Sequence, residues 1–169
     1  MNKQELQNEI NKTKEHLANM EKMLAECEYE RWKPEEGEKY WYITNSNQVT
    51  QTDYTSTRSY KYEDDYQRCL TYNCFQTREQ AETEAEKILV RRILEDIARR
   101  LNKGEKIDWK NSAQYKYSFY LDDKINKIDW CRECRCTVQG SVYCLDINFY
   151  KVAIQEIGEE RLKKYLRGE

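Results

Sequence analysis

Lys39-Tyr40-Trp41-Tyr42-Ile43-Thr44-Asn45-Ser46-Asn47-Gln48-Val49 reads as an aromatic run, a polar turn and the start of a second strand. Aromatic and β-branched residues suit a pleated surface, and Asn-Ser-Asn is turn chemistry, so this stretch predicts a β-hairpin. Lys116-Tyr117-Ser118-Phe119-Tyr120-Leu121-Asp122-Asp123-Lys124-Ile125 repeats the pattern. Each hairpin leads, after an interval, into a short strand and a helix: Tyr72-Asn73-Cys74-Phe75 before Thr77 to Leu101, and Val142-Tyr143-Cys144-Leu145 before the segment after Asp146. Helices packed on one face of antiparallel sheets give an α+β fold. The chain therefore reads as two hairpin–strand–helix units, residues 38–104 and 105–169, with Cys74 and Cys144 in matching places.

Residues 1–31 precede these units as a helix. Leu6, Ile10, Thr13, Leu17, Met20, Leu24 and Cys27 follow a 4-3-4-3-4-3 spacing, the period of a coiled-coil seam. With Ile10, Leu17 and Leu24 at a positions, Glu9 at g faces Lys14 at the following e position of a parallel partner, and His16 faces Glu21. Residues 3–30 thus either dimerise, with Leu6, Ile10, Leu17, Met20 and Leu24 as the seam, or pack back on their own domain. Pro34 and Gly37 break the helix.

Between the first hairpin and its helix, residues 51–67 are rich in Thr, Tyr and Asp and read as a solvated strand, a loop, or both. Thr77-x-x-Gln80 is a capping box. The helix it opens runs through Ala81, Ala85, Ile88, Leu89, Leu94, Ile97 and Leu101 to Asn102-Lys103-Gly104, with Glu95–Arg99 and Asp96–Arg100 as outer i,i+4 pairs. In the second unit, strands near 115–121, 125–131, 133–138 and 141–145 predict a meander turning at Gln139-Gly140, and the last helix breaks at Gly158.

Composition limits function. Fourteen Tyr, four Trp and three Phe mark a folded chain, although 36% of residues are charged. A net charge of −2 provides no general field to draw in nucleic acid, so any such contact is local. No stretch approaches a membrane span and the amino terminus is polar, which points to the cytoplasm. In that reducing setting the seven cysteines are expected as buried thiols or metal ligands rather than disulfides.

Cys131-x-x-Cys134-x-Cys136, with Cys144 from the next strand, is a candidate zinc set; the other reading makes these small residues of a β meander. No other cofactor is expected. Catalysis has little support, because the only histidine, His16, lies on the amino-terminal helix and no phosphate-cradling glycine loop occurs. Two features suit binding. Arg91, Arg92, Arg99 and Arg100 fall roughly on one side of the long helix, where they either grip an anionic partner or pair with Glu84, Glu95 and Asp96. Tyr54, Tyr60, Tyr62 and Tyr66, with Tyr72, offer large contact area with polar tips, or else line the core.

Trp32-Lys33-Pro34-Glu35-Glu36-Gly37-Glu38-Lys39-Tyr40-Trp41-Tyr42-Ile43, Asn73-Cys74-Phe75-Gln76-Thr77-Arg78-Glu79-Gln80-Ala81 and Ala153-Ile154-Gln155-Glu156-Ile157-Gly158-Glu159-Glu160-Arg161-Leu162-Lys163-Lys164-Tyr165 resemble segments of small accessory proteins from phages and prophages of Gram-positive bacteria. The resemblance covers most of the chain and its motifs are structural, so no catalytic residue carries over. It implies an anti-defence factor, of which anti-CRISPR inhibitors of Cas9-type effectors are one kind. The expectation is a non-enzymatic inhibitor of a host defence protein. The alternatives are a dimeric nucleic-acid-binding regulator using the arginine-rich helix and a zinc-stabilised structural module.

Overall fold

The computed structural model describes residues 4, 7, 9–14, 16–18, 20, 32–55, 63–133 and 137–169. The chain divides into two compact units, Met1–Lys33 and Pro34–Glu169. In the first, helix α1 is helical at residues 9–14 and 16–18, and all its described side chains are exposed. Leu6, Leu24 and Cys27 of the heptad pattern lie outside the described residues.

The second unit contains strands β1 (Lys39–Ile43) and β2 (Val49–Asp53), helices α2 (Glu63–Leu70) and α3 (Arg78–Leu101), strands β3 (Lys116–Asp122) and β4 (Lys127–Glu133), and helices α4 (Phe149–Ile157) and α5 (Glu159–Arg167). The mixture is α+β, with two antiparallel two-stranded sheets, β1–β2 and β3–β4. Register pairs Trp41 with Gln51 in one and Phe119 with Trp130 in the other. The first turn closes as read from Asn-Ser-Asn: Asn47 adopts a φ of 63°, and the Thr44 amide donates to the Gln48 carbonyl at 2.9 Å.

Each hairpin gains a third, single-residue partner on the free edge of its first strand. Phe75 exchanges both backbone hydrogen bonds with Trp41, and Cys144 does so with Tyr117. Two expectations change as a result. The second sheet is not a meander, because the chain returns past β4 to pair with β3. Moreover, the counterpart of Cys144 is Phe75 rather than Cys74. Successive strand side chains point to opposite faces, so this shift by one residue gives Cys74 and Cys144 different environments.

Residues 63–70, which overlap the 51–67 stretch read as strand or loop, form α2 instead. It lies over one face of β1, where Tyr40 and Tyr42 contact Asp65 and Arg68. Across the other face lies α3, whose Arg78 guanidinium sits over the Trp41 ring. A strand covered on both faces carries apolar side chains on both, which is why β1 reads as a nearly continuous aromatic run.

α3 is the common support. Its first half approaches β1 and β2 closely through the small Ala81 and Ala85, and the Asn47 side chain donates from the hairpin tip to the Ala85 carbonyl at 2.9 Å. Its second half contributes Val90, Leu94, Ile97 and Ala98 to a core completed by Ile128, Cys144, Phe149, Ala153, Ile157 and Leu162. The buried stripe runs through Val90, whereas Leu89, expected inside, is exposed. Gly158, at φ 91°, turns the chain between α4 and α5, a conformation that costs residues bearing a Cβ. Arg161 then ties α5 back to α3, gripping Glu86 through Nε and, at 3.0 Å, through Nη2.

The capping box forms as read. Thr77 Oγ1 accepts from the Gln80 amide at 3.2 Å, and the Gln80 side chain accepts from the Thr77 amide at 3.3 Å. Thr77→Ala is expected to cost about 1 kcal/mol, measured as a lower urea midpoint at unchanged slope.

Candidate functional site

The side chains with the most specific geometry lie where α2 meets β1. The Tyr40 hydroxyl, fully buried, donates to Asp65 Oδ1 at 2.7 Å. Arg68 Nη1 donates to the Tyr40 oxygen at 3.1 Å and to Asp65 Oδ1 at 2.9 Å, and its guanidinium lies 3.9 Å from the Tyr42 ring centroid. Asp65 is buried and Arg68 is partly so. Tyr54, a predicted binding residue, packs edge-on against Tyr40 and is half-buried, so part of its surface serves the fold. Tyr60 and Tyr62 lie outside the described residues. Tyr66 is exposed, with Leu70 one turn further along the same outer face of α2.

At the end of α2, Cys69 is joined to Cys74 by a disulfide, with their Cα atoms 5.2 Å apart. This corrects the expectation of free or metal-bound thiols for that pair: the end of α2 and the start of the bridged segment bring them face to face. Between them Tyr72 adopts a φ of 65° and is 74% exposed. Asn73 locks the loop to β1, accepting from the Ile43 amide at 2.8 Å and donating to the Ile43 carbonyl at 2.7 Å. The β1–β2 turn, this loop and α3 enclose a cleft of about 450 Å³, whose walls include Asn47, Tyr72, Phe75, Glu84, Ile88 and Arg92. Asn47 Oδ1 is buried in the wall without a donor among the described residues, a desolvation cost of about 1–3 kcal/mol.

The predicted arginine stripe divides. Arg91 pairs with Glu95 at 2.9 Å, Arg99 with Asp96 at 3.0 Å, and Arg100 with both Asp96 at 3.0 Å and Glu156 at 2.6 Å. Of the two expected helix pairs, Asp96–Arg100 is present, while Glu95 turns back to Arg91 rather than forward to Arg99. Arg92 makes no hydrogen bond, ion pair or ring contact among the described residues, and it lines the cleft.

Of the proposed thiol set, Cys131 and Cys144 are placed on opposite faces of β3. Cys131 lies opposite Ser118, with its sulfur 2.9 Å from Ser118 Oγ. Cys144 lies opposite Tyr117 and therefore on the other face of β3, inside the core. Its sulfur bonds to Asn102 Oδ1 at 3.1 Å, and burial pushes the thiol pKa up. Cys134 and Cys136 lie outside the described residues; among the described residues no group of three or more His, Cys, Asp or Glu side chains is placed to hold a metal ion. Also among the described residues, no helix is long and apolar enough to cross a membrane.

Burial likewise raises the Tyr40 phenol above its ordinary value of 10.0, and Cys144 is raised above 9.0. Both groups hold their proton more tightly when folded. The associated stability is complete below the unfolded-state values and drains as pH climbs through 9.0 and then 10.0 toward the folded ones. The urea midpoint should therefore fall across this alkaline range, and Tyr40→Phe should flatten the fall above pH 10.0.

Sequence reasoning missed the Tyr40–Asp65–Arg68 network, the disulfide and the cleft. The available signals were the three-residue spacing of Asp65 and Arg68 and the short Cys69–Cys74 interval. Both are weak, because each makes sense only once residues 63–70 are known to be helical. Comparison with protein-family models, curated proteins and solved structures finds no match to the chain.

Proposed function

We propose that this chain is a non-catalytic, protein-binding inhibitor of the kind phages use against a bacterial defence effector, with a Cas9-like nuclease as the candidate target. The observation that carries this reading is the exposed trio Tyr66, Leu70 and Tyr72, gathered on α2 and the disulfide-closed loop beside a polar cleft. Large side chains with polar tips, held on a rigid support, are what protein interfaces favour. The two hairpins form that support, each stiffened by a third bridged segment, the first packed on α3 and the second on α4 and α5. Binding purified chain to a Cas9-type effector and assaying DNA cleavage tests the reading. Stoichiometric capture with loss of cleavage is expected; no binding across a broad panel of defence effectors would sink it.

α1 acts in this reading as a coiled coil joining two copies. Ile10, Leu17 and Met20 are 41%, 52% and 47% exposed, which leaves these three seam positions open. Thr13, a polar residue at a d position of the seam, donates its Oγ1 hydroxyl to the Glu9 carbonyl at 2.8 Å, so its methyl can be buried without stranding a hydroxyl. Sedimentation equilibrium should show a dimer that Leu17→Lys converts to monomer, with unchanged urea unfolding of the second unit. A wild-type monomer at all concentrations would refute the pairing.

A further inference from the structure

We propose that the cleft between the β1–β2 turn, the Cys69–Cys74 loop and α3 is the docking site, and that it takes a protein segment presenting a carboxylate to Arg92 beside a large apolar side chain. The proposal rests on the protein-binding reading above and locates its contact.

The first ground is charge. Among the described arginines, Arg68, Arg78, Arg91, Arg99, Arg100, Arg161 and Arg167 all have carboxylate partners, and the Arg132 guanidinium lies over the Tyr115 ring. Among these arginines only Arg92 has neither a carboxylate nor a ring beside it, and it lies at the wall of a cleft. A guanidinium fork matches a carboxylate with two parallel hydrogen bonds, so an acidic side chain or a chain terminus is its natural complement.

The second ground is preorganisation. Tyr72 stands 74% exposed at the rim, yet its backbone is held at a φ of 65° between the disulfide and the two Asn73 bonds to Ile43. With the backbone already ordered, binding need fix only the rotamer of the Tyr72 side chain. Ile88 and Phe75 line the cleft next to it and supply the apolar contact.

The surrounding charge selects protein over nucleic acid. Glu84 lines the same cleft, and Glu79 and Glu84, with the single cation Lys87, line the groove along the first turns of α3. A phosphate backbone laid through both would meet these carboxylates after its first contact with Arg92. A peptide can instead place its acidic residue at Arg92 and a neutral or basic one near Glu84.

Panning a random-peptide library on the full chain tests the proposal, followed by fluorescence anisotropy with the enriched peptides. The expected peptides pair Asp or Glu with a neighbouring large apolar residue. Arg92→Glu and Tyr72→Ala should each weaken them by about tenfold or more, and Arg99→Glu by less than about twofold. Reversing the peptide's acid to Lys should restore binding to Arg92→Glu. Both mutated sites are exposed, and unchanged thermal melts would show that the variants fold. No enrichment, or equal affinity for wild type and Arg92→Glu, overturns the cleft assignment. An effector captured equally by wild type and Arg92→Glu would also overturn it, while leaving the inhibitor reading intact. Acid-dependent peptides from a chain that captures no effector would do the reverse.

Discussion

Phe149→Ala is expected to lower the unfolding free energy by about 3–5 kcal/mol, a large share of the total stability typical of a domain. Phe149 is 1% exposed and opens α4. Its ring lies 5.1 Å from that of Phe119 on β3, inside the cluster formed by Val90, Leu94 and Ile97 of α3. The start of α4 has no side-chain cap: Asn148 makes no capping hydrogen bond, so burial of Phe149 is what sets the helix start against the sheet. Truncation would leave a cavity between α3, β3 and α4 that none of these elements can close without moving the others. Urea unfolding should show a lower midpoint at unchanged slope, with Phe149→Leu losing less than about 1.5 kcal/mol. A loss under about 1 kcal/mol for the alanine variant would mean that the ring is not part of the continuous core.

Asp65→Ala should cost about 2–3 kcal/mol. The carboxylate is the shared acceptor of the Tyr40 hydroxyl and the Arg68 guanidinium, and its removal leaves the phenol buried without its acceptor and the cation with only the exposed Asp64, 3.8 Å away, as counter-ion. Arg68 retains some solvent contact, which keeps the loss below that of breaking a fully buried pair. Tyr40→Phe should cost about 1 kcal/mol, since the Asp65–Arg68 pair survives. Because all three groups form one network, Tyr40→Phe with Asp65→Ala should lose less than the sum of the two, and a double-mutant cycle measures the difference. Strict additivity would show that Tyr40 and Asp65 are not coupled. The Asp65 variant should also expose amides of residues 63–70 to hydrogen exchange ahead of α3, since α2 is a short helix tied to β1 through this contact.

Local chemistry made some parts of the fold legible. The hairpin at 39–49 followed from its aromatic run and Asn-Ser-Asn turn, and the start of α3 from Thr77 and Gln80, because in both the deciding atoms lie within a few residues of one another. The break at Gly158 was legible for the same reason. α2 was not: Glu63-Asp64-Asp65-Tyr66 carries no strong helical pattern, and its position depends on Tyr40, 25 residues away from Asp65. The pairing of Phe75 and Cys144 with the first strand of each hairpin was hidden for a related reason, since strand order is set by contacts far apart in sequence. Lys116 shows the limit most plainly. It is a charged residue at the start of a strand, yet it is fully buried, with Nζ bonded to the Asn111 carbonyl at 2.8 Å and lying over the Trp109 ring.

The candidate site divides along the same line. Tyr66 and Arg92 were recognisable as residue types suited to binding, but the sequence placed Arg92 in a stripe with three others. The folded chain pairs those three with carboxylates and leaves Arg92 at the cleft beside Tyr72. It also separates Cys131 from Cys144 across a sheet and joins Cys69 to Cys74. Sequence alone determined the α+β class, the hairpins and the α3 cap, because propensity, turn chemistry and capping act over short stretches of chain. Which charges stay free, which thiols meet and where a cleft opens were decided by tertiary structure, because each depends on groups brought together from separate elements.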